Sequence, residues 1–295
     1  MRLPCVASRS AEGIPRRRLF SRTAGALCWL VLSAMTLTGC ATAPATDPAT
    51  SAALDTILRS EHRAPENRAR DAYRHPKETL EFFGIREDMT VVEVWPGAGW
   101  YTEILAPLLR DRGQLYTALL DPAAGEYAKS IVETYKEKLR MRPDLYGKVI
   151  TTTLAAPPAK HEIAPAGSAD LVLTFRSLHN WMMFGWEREA LASMHAALKA
   201  NGVLGVVAHR GNPKMPQDPK AASGYVTEDH AIRMIEAAGF QLVERSQINA
   251  NPRDSKDYEK GVWTLPPGFA NGDDARYKQI GESDRFTLKF VKKAS

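Results

Sequence analysis

The run Met89-Thr90-Val91-Val92-Glu93-Val94 passes through Trp95 into Pro96-Gly97-Ala98-Gly99 and then into residues 100–109. The first six residues are β-branched and apolar enough for a buried strand. The glycines mark a turn, and residues 100–109 have helical spacing with Gly113 as a stop. Strand, glycine turn and helix form the opening unit of a doubly wound α/β sheet. Outward from this unit the alternation continues. Strand-like runs lie at 114–120 (ending at Asp121-Pro122), 148–153, 169–175, 203–208, 240–248 and 285–292. Helical runs lie at 126–141, 186–200 (stopped by Asn201-Gly202) and 227–238, where Thr227 is the expected N-cap and Gly239 the stop. The strands are apolar runs without polar alternation, which implies a parallel sheet covered on both faces. No long helix separates the last two strands, so that pair is free to be antiparallel. Residues 54–84 read as mostly helical with breaks at Pro65 and Pro76. Residues 249–284 hold no long element, and a connection of that length usually carries function.

Charge and motifs remove several function classes. Of 39 basic and 34 acidic residues, six Arg and one Glu fall within residues 1–39, so the remainder carries 33 of each and is neutral. A nucleic-acid-binding body would show a basic excess. The turn G-x-G lacks the third glycine of a dinucleotide fingerprint, since residue 102 is Thr, which disfavours NAD. There is no G-x-S-x-G elbow, H-E-x-x-H pair, Walker loop or EF-hand string, and the seven histidines have no metal-ligand spacing, so no metal is expected.

The first forty residues read as an address. Arg16-Arg17-Arg18-Leu19-Phe20-Ser21-Arg22 precedes an apolar run over 24–37. Its 14 residues are too few for a membrane span, which needs about 20, and fit a signal-peptide core. Leu37-Thr38-Gly39-Cys40 resembles a lipobox, and Arg17-Arg18-Leu19-Phe20 resembles a twin-arginine export signal. The expected organisation is a signal peptide over 1–39, lipidated Cys40 with a flexible Ala/Thr/Pro-rich tether over 40–53, and one domain over 54–295. Cys5 and Cys28 would leave with the leader, so the mature body would have no disulfide and no thiol nucleophile. Ala41 follows Cys40. By resemblance to Gram-negative lipoproteins this implies an outer-membrane anchor with the body on the periplasmic side of the envelope.

From His62 onward the chain resembles a family of exported class I S-adenosylmethionine-dependent methyltransferases. The resemblance rests on Arg68-Ala69-Arg70-Asp71 with Arg74-His75-Pro76, on Val92 through Pro107 with its W-Y-T-E-I-L-A-P string, on Asp170 through Trp181 with L-H-N-W, and on Asp284-Arg285-Phe286-Thr287-Leu288-Lys289-Phe290. It implies a Rossmann-like class I methyltransferase fold: a mostly parallel seven-stranded sheet with helices on both faces. It also implies S-adenosylmethionine as cofactor and a small molecule or envelope component as substrate. Glu93 would orient the methionine end. Gly97 and Gly99 would let the backbone pass beneath the cofactor, and Asp121 would accept both ribose hydroxyls, as a carboxylate can. His179 would serve as general base with Asn180 orienting the nucleophile. Trp181 would pack on the substrate or cofactor, and Arg176, His209 and Arg210 would meet an anionic substrate. Most class I methyltransferases have glycine where this chain has Trp95. A large ring followed by Pro96 would narrow the methionine pocket.

Each assignment has a structural alternative. Glu93 can cap the glycine turn, and Asp121 can start an Asp-Pro turn. His179 and Asn180 can hold a loop over a core Trp181, and Arg176 and Arg210 can be surface ion-pair residues. Tyr73, Arg74 and His75 read either as a lid over the cofactor or as helix packing. S-adenosylmethionine is made in the cytoplasm, so the second functional expectation is a non-catalytic ligand-binding or scaffold lipoprotein on the same fold.

Overall fold

The computed structural model describes residues 46–159, 162–272 and 274–293. The leader, the lipobox and Cys40 lie outside the described residues. Among the described residues no helix is long and apolar enough to cross a membrane.

Seven strands form one sheet: β1 (Thr90–Val94), β2 (Gln114–Leu119), β3 (Ile150–Thr153), β4 (Ala169–Phe175), β5 (Leu198–His209), β6 (Phe240–Ser246) and β7 (Arg285–Lys292). Their order is β3-β2-β1-β4-β5-β7-β6. All pairs are parallel except those of β7, which runs antiparallel between β5 and β6. The order reverses between β1 and β4, and an open α/β sheet binds its ligands beyond the carboxyl ends of the strands at such a point.

Alternate residues of the strands feed two cores. Val92, Val94, Val172, Leu204 and Val206 pack with α8 (Leu178–Phe184), α9 (Glu187–Ala197) and α10 (Glu228–Ala237). Val91, Leu171, Leu173 and Val207 pack with α1 (Pro48–Arg59), α4 (Pro76–Phe83) and α5 (Thr102–Leu109). The amphipathic α6 (Glu126–Met141) and the single turn α7 (Pro143–Tyr146) follow β2. In α5, Pro107 cannot return a hydrogen bond to the Glu103 carbonyl. His62 Nε2 takes that carbonyl instead, at 2.8 Å, which ties the amino-terminal segment to the helix after the glycine turn.

Two boundaries differ from expectation. The tether expected to run to residue 53 ends earlier, because α1 begins at Pro48. Asp47 accepts from the Ala49 and Thr50 N–H groups at 3.0 Å, and proline is well suited to the first helical position. Pro65 and Pro76, read as breaks, are first residues of α2 (Pro65–Arg68) and α4, with α3 (Asp71–Arg74) between them. Residues 249–284 contain only a 3-10 turn at Gly261–Thr264 and the short α11 (Ala275–Ile280).

Candidate functional site

The glycine turn leaves β1 with its ladder extended by one residue, since the Trp95 N–H donates to the Ala118 carbonyl at 2.8 Å. Trp95 then adopts φ 53°, a left-handed conformation that costs a residue with a side chain about 1–2 kcal/mol. Gly97 and Gly99 follow with φ 60° and 83°. At Gly97 a Cβ would meet nothing within 4 Å, so its backbone faces open space, whereas at Gly99 it would lie 3.1 Å from the Tyr135 ring. One glycine therefore leaves its backbone uncovered and the other permits close helix packing.

Trp95 does not point out of this turn. Its Nε1 donates to the Leu154 carbonyl, the residue after β3, at 3.1 Å. The half-buried ring thus reaches from the end of β1 past β2 to the end of β3. Its edges meet Trp181 at 5.5 Å and Trp186 at 5.6 Å. What remains beside Trp95, Gly97, Leu119, Ile131 and Tyr135 is a cavity of about 10 Å³, room for one water.

Glu93 is buried on the α5 side of β1, where its Oε2 accepts from Thr102 Oγ1 at 2.6 Å. Burial pushes its carboxyl up to about 7, against the opposing pulls of the Thr102 hydrogen bond and the Lys138 charge. Asp121 follows β2 and starts the 3-10 turn Pro122–Ala124 by accepting from the Ala123 N–H at 2.9 Å through Oδ1. Its Oδ2 has no hydrogen bond among the described residues.

The second half of the site follows β4. Arg176 also has a left-handed backbone, φ 63°, and its N–H donates to the Val207 carbonyl at 2.6 Å. Both strands that flank the switch point thus end on a non-glycine residue in a strained conformation, and strain of this kind gathers at functional sites. His179 lies in the first turn of α8, 5% exposed, with no partner for Nδ1. Its ring is 5.5 Å from that of His209 and 5.7 Å from that of Trp263. Burial, then the Arg176 charge, holds His179 down to about 4. His209 is also held well below its ordinary value, by burial first and by His179 and Arg176 next. Its Nδ1 lies 2.5 Å from Ser283 Oγ.

The expected residues therefore separate into groups. Arg176, His179 and His209 come together. Asn180 is half-buried beside His179, and its side chain has no hydrogen bond among the described residues. Trp181 is 0% exposed and packs in the core, reaching the crevice only through Trp95. Arg210 lies 3.4 Å from Glu228 and 3.6 Å from Asp284, and does not share a cavity with Arg176. Arg74 and Arg285 share it instead, with Tyr101, Phe175 and Asn249. No local spacing in the sequence links these residues. Glu282 joins them across 208 residues through its contact with Arg74. Among the described residues no group of three His, Cys, Asp or Glu is placed to hold a metal.

No protein-family model and no curated protein sequence matches the chain. Solved structures do. An S-adenosylmethionine-dependent methyltransferase from Aquifex aeolicus aligns with a TM-score of 0.51 at 15% identity, over 82% of this chain and 98% of that one. The (4+2) cyclase SpnF aligns with a TM-score of 0.52 at 16% identity, over 86% of this chain and 98% of that one. These two neighbours carry different activities, so the likeness bears on architecture and not on reaction. The chain has the Rossmann-like class I methyltransferase fold, a mostly parallel seven-stranded sheet with helices on both faces.

Proposed function

We propose that this chain is an S-adenosylmethionine-dependent methyltransferase, anchored to the outer membrane through a lipid on Cys40 with its body on the periplasmic side, and acting on a small molecule or an envelope component. The observation that carries this reading is the turn at the switch point. The backbone at Gly97 faces open space, Glu93 is the last residue but one of the strand before it, and Asp121 follows the neighbouring strand. Of the polar groups, Asp121 has Oδ2 free to accept ribose hydroxyls, and Glu93, buried against Thr102, would orient the methionine end. The room does not suit it while the Trp95 ring rests on Leu154, so binding requires that ring to turn away.

When bound, S-adenosylmethionine supplies an electrophilic methyl group. The residues contribute position and a proton acceptor. His179 would be the proton acceptor; burial and Arg176 keep it neutral in the neutral pH range but hold it down to about 4, so it is a weak base until a bound substrate changes its surroundings. Calorimetric titration with S-adenosylmethionine and S-adenosylhomocysteine tests the reading, with Asp121→Ala as control. Saturable binding that is lost in the control supports it, and no binding to the folded protein overturns it. Loss of membrane retention in Cys40→Ala is the expected result for the anchor.

A second reading is a ligand-binding or scaffold lipoprotein without turnover. The Trp95 ring occupying the crevice favours it. A folded protein that binds no S-adenosylmethionine in the same titration is the result this reading expects.

A further inference from the structure

Three guanidinium groups converge on one carboxylate at the carboxyl edge of β4 and β5, and a fourth lies beside them. Glu282 accepts from Arg70 Nε at 2.6 Å through Oε1. Through Oε2 it accepts from Arg74 Nε at 3.2 Å and from Arg285 Nη1 at 2.9 Å. Arg285 also donates through Nη2 to the Tyr73 carbonyl at 2.6 Å. Arg176 is the fourth, and its side chain has no hydrogen bond or ion pair among the described residues. The side chains of Arg74 and Arg285 are each 3% exposed. Even so, Arg70 Nη2, Arg74 Nη2 and Arg285 Nε are buried without a partner.

Such a cluster is short of negative charge. Guanidinium groups taken out of water need carboxylate or equivalent partners, and the buried Arg74 and Arg285 share their one Glu with the partly exposed Arg70. The strain appears in the titration of every member that shifts. Burial, then the Arg176 charge, holds Arg74 well below its ordinary value. Burial, with Arg285 and Arg70 beside it, brings Arg176 down to about 10 despite Glu282. Burial alone would raise Glu282, but Arg74, Arg285, Arg70 and Arg176 together hold it down to about 2.

Arg74, Arg176 and Arg285 line a cavity with Tyr101, Phe175 and Asn249. The Tyr101 and Phe175 rings stack at 3.6 Å and make one apolar wall. The volume is about 10 Å³, enough for one water-sized group. A carboxylate is larger than one water, so it enters only when the half-buried, unpartnered Arg176 side chain swings aside. Guanidinium forks take carboxylate and phosphate alike, and the small volume favours the smaller, planar carboxylate. We infer that this cavity is a binding site for a single carboxylate group, held by Arg74, Arg176 and Arg285. The inference stands on the cluster and does not depend on methyl transfer.

A carboxylate there has two sources, the amino-acid end of a nucleoside cofactor or an acidic acceptor. The test measures melting temperature and calorimetric binding on the purified protein at constant ionic strength, with chloride as the background salt. Acetate, succinate and inorganic phosphate are the probes, and Arg176→Gln is the variant. Arg176 has no partner to orphan, so this variant should melt no lower than the parent, which confirms that it folds. The expected result is saturable stabilisation by acetate and succinate beyond that of chloride, weakened at least tenfold in Arg176→Gln. S-adenosylhomocysteine, which has a carboxylate, and 5′-methylthioadenosine, which lacks one, then compete against acetate. Displacement by the first alone assigns the site to a cofactor's amino-acid end, and displacement by neither assigns it to an acidic acceptor. Either outcome supports the carboxylate site. No saturable response, an unchanged response in Arg176→Gln, or tighter binding of phosphate than of the carboxylates overturns it.

Discussion

Replacing Trp95 by glycine should tighten nucleoside binding, and the size of the effect can be worked from the contacts the ring makes. To clear the crevice the indole must break its hydrogen bond to Leu154, at 3.1 Å, and its two edge-to-face contacts with Trp181 and Trp186. A hydrogen bond of this type contributes about 1 kcal/mol net, and each ring pair about 0.5–1.5 kcal/mol. Turning the ring out therefore costs about 2–4 kcal/mol, which lowers apparent affinity by about 30- to 1,000-fold relative to a site held open. Trp95→Gly removes that cost. It also removes the penalty of φ 53°, which glycine adopts freely. The loss of ring packing, typically about 3–5 kcal/mol for a buried aromatic, is offset in part by that relief, and the half-burial of Trp95 places it at the lower end. The assay is calorimetric titration of both proteins with S-adenosylhomocysteine, with circular dichroism and a melting curve to establish that the variant is folded. Tighter binding by one to three orders of magnitude is the expected outcome. A folded variant that binds no better than the parent would refute the view that the ring is what closes the crevice.

Three further outcomes follow from the same geometry. Glu93 binds its proton more tightly folded than unfolded, so its burial is harmless below the ordinary pKa of 4.5 and costs about 3 kcal/mol once the pH passes about 7. Glu93→Gln should thus gain about 3 kcal/mol over the parent in urea unfolding at pH 8 and almost nothing at pH 4, and an equal difference at both pH values would be inconsistent with a buried acid. His179 has the opposite sign, because an imidazole held down to about 4 resists the proton that the unfolded chain accepts near 6.5. Its contribution is intact above pH 6.5 and is lost as the pH falls toward 4, so His179→Gln should flatten the acid side of the stability curve by about 3 kcal/mol, read as denaturation midpoints from pH 7 to 4. At Gly261, φ is 55° and an added Cβ would lie 2.0 Å from the Ser223 carbonyl oxygen, so Gly261→Ala should lower stability by more than about 2 kcal/mol and raise hydrogen exchange in residues 249–284 first.

The sheet was legible because its strands are buried on both sides. Val91 to Val94 and Leu171 to Thr174 need no partner to read as strands, and the missing helix between β6 and β7 marked the pair that turned out antiparallel. The start of α1 was also written in the sequence, as Asp47 before Pro48, but an Ala/Thr/Pro composition hid the cap behind the look of a linker. The site was legible only in part. Glu93, Gly97, Asp121 and His179 follow strands or turns, where chain position decides location. Trp95 was conspicuous by identity, yet the direction of its ring depends on Leu154, Trp181 and Trp186, which no local pattern connects to it. The arginine cluster left no trace in spacing at all, since Arg70 and Glu282 meet across 212 residues.

The place of β7 decides when that cluster can exist. β7 is the last of the seven strands to be synthesised, yet it sits inside the sheet, with Arg285 in register with His209 on β5. Until it arrives, β5 and β6 have no common neighbour and each presents an open edge. The segment that closes the sheet also delivers Arg285 and the adjoining Glu282, so closure of the sheet and assembly of the charged pocket are one event. A nascent or clipped chain lacking this strand would have neither. Ligand capture through the arginines is therefore confined to chains whose synthesis has run past residue 292, which makes occupancy of the pocket a readout of completed folding.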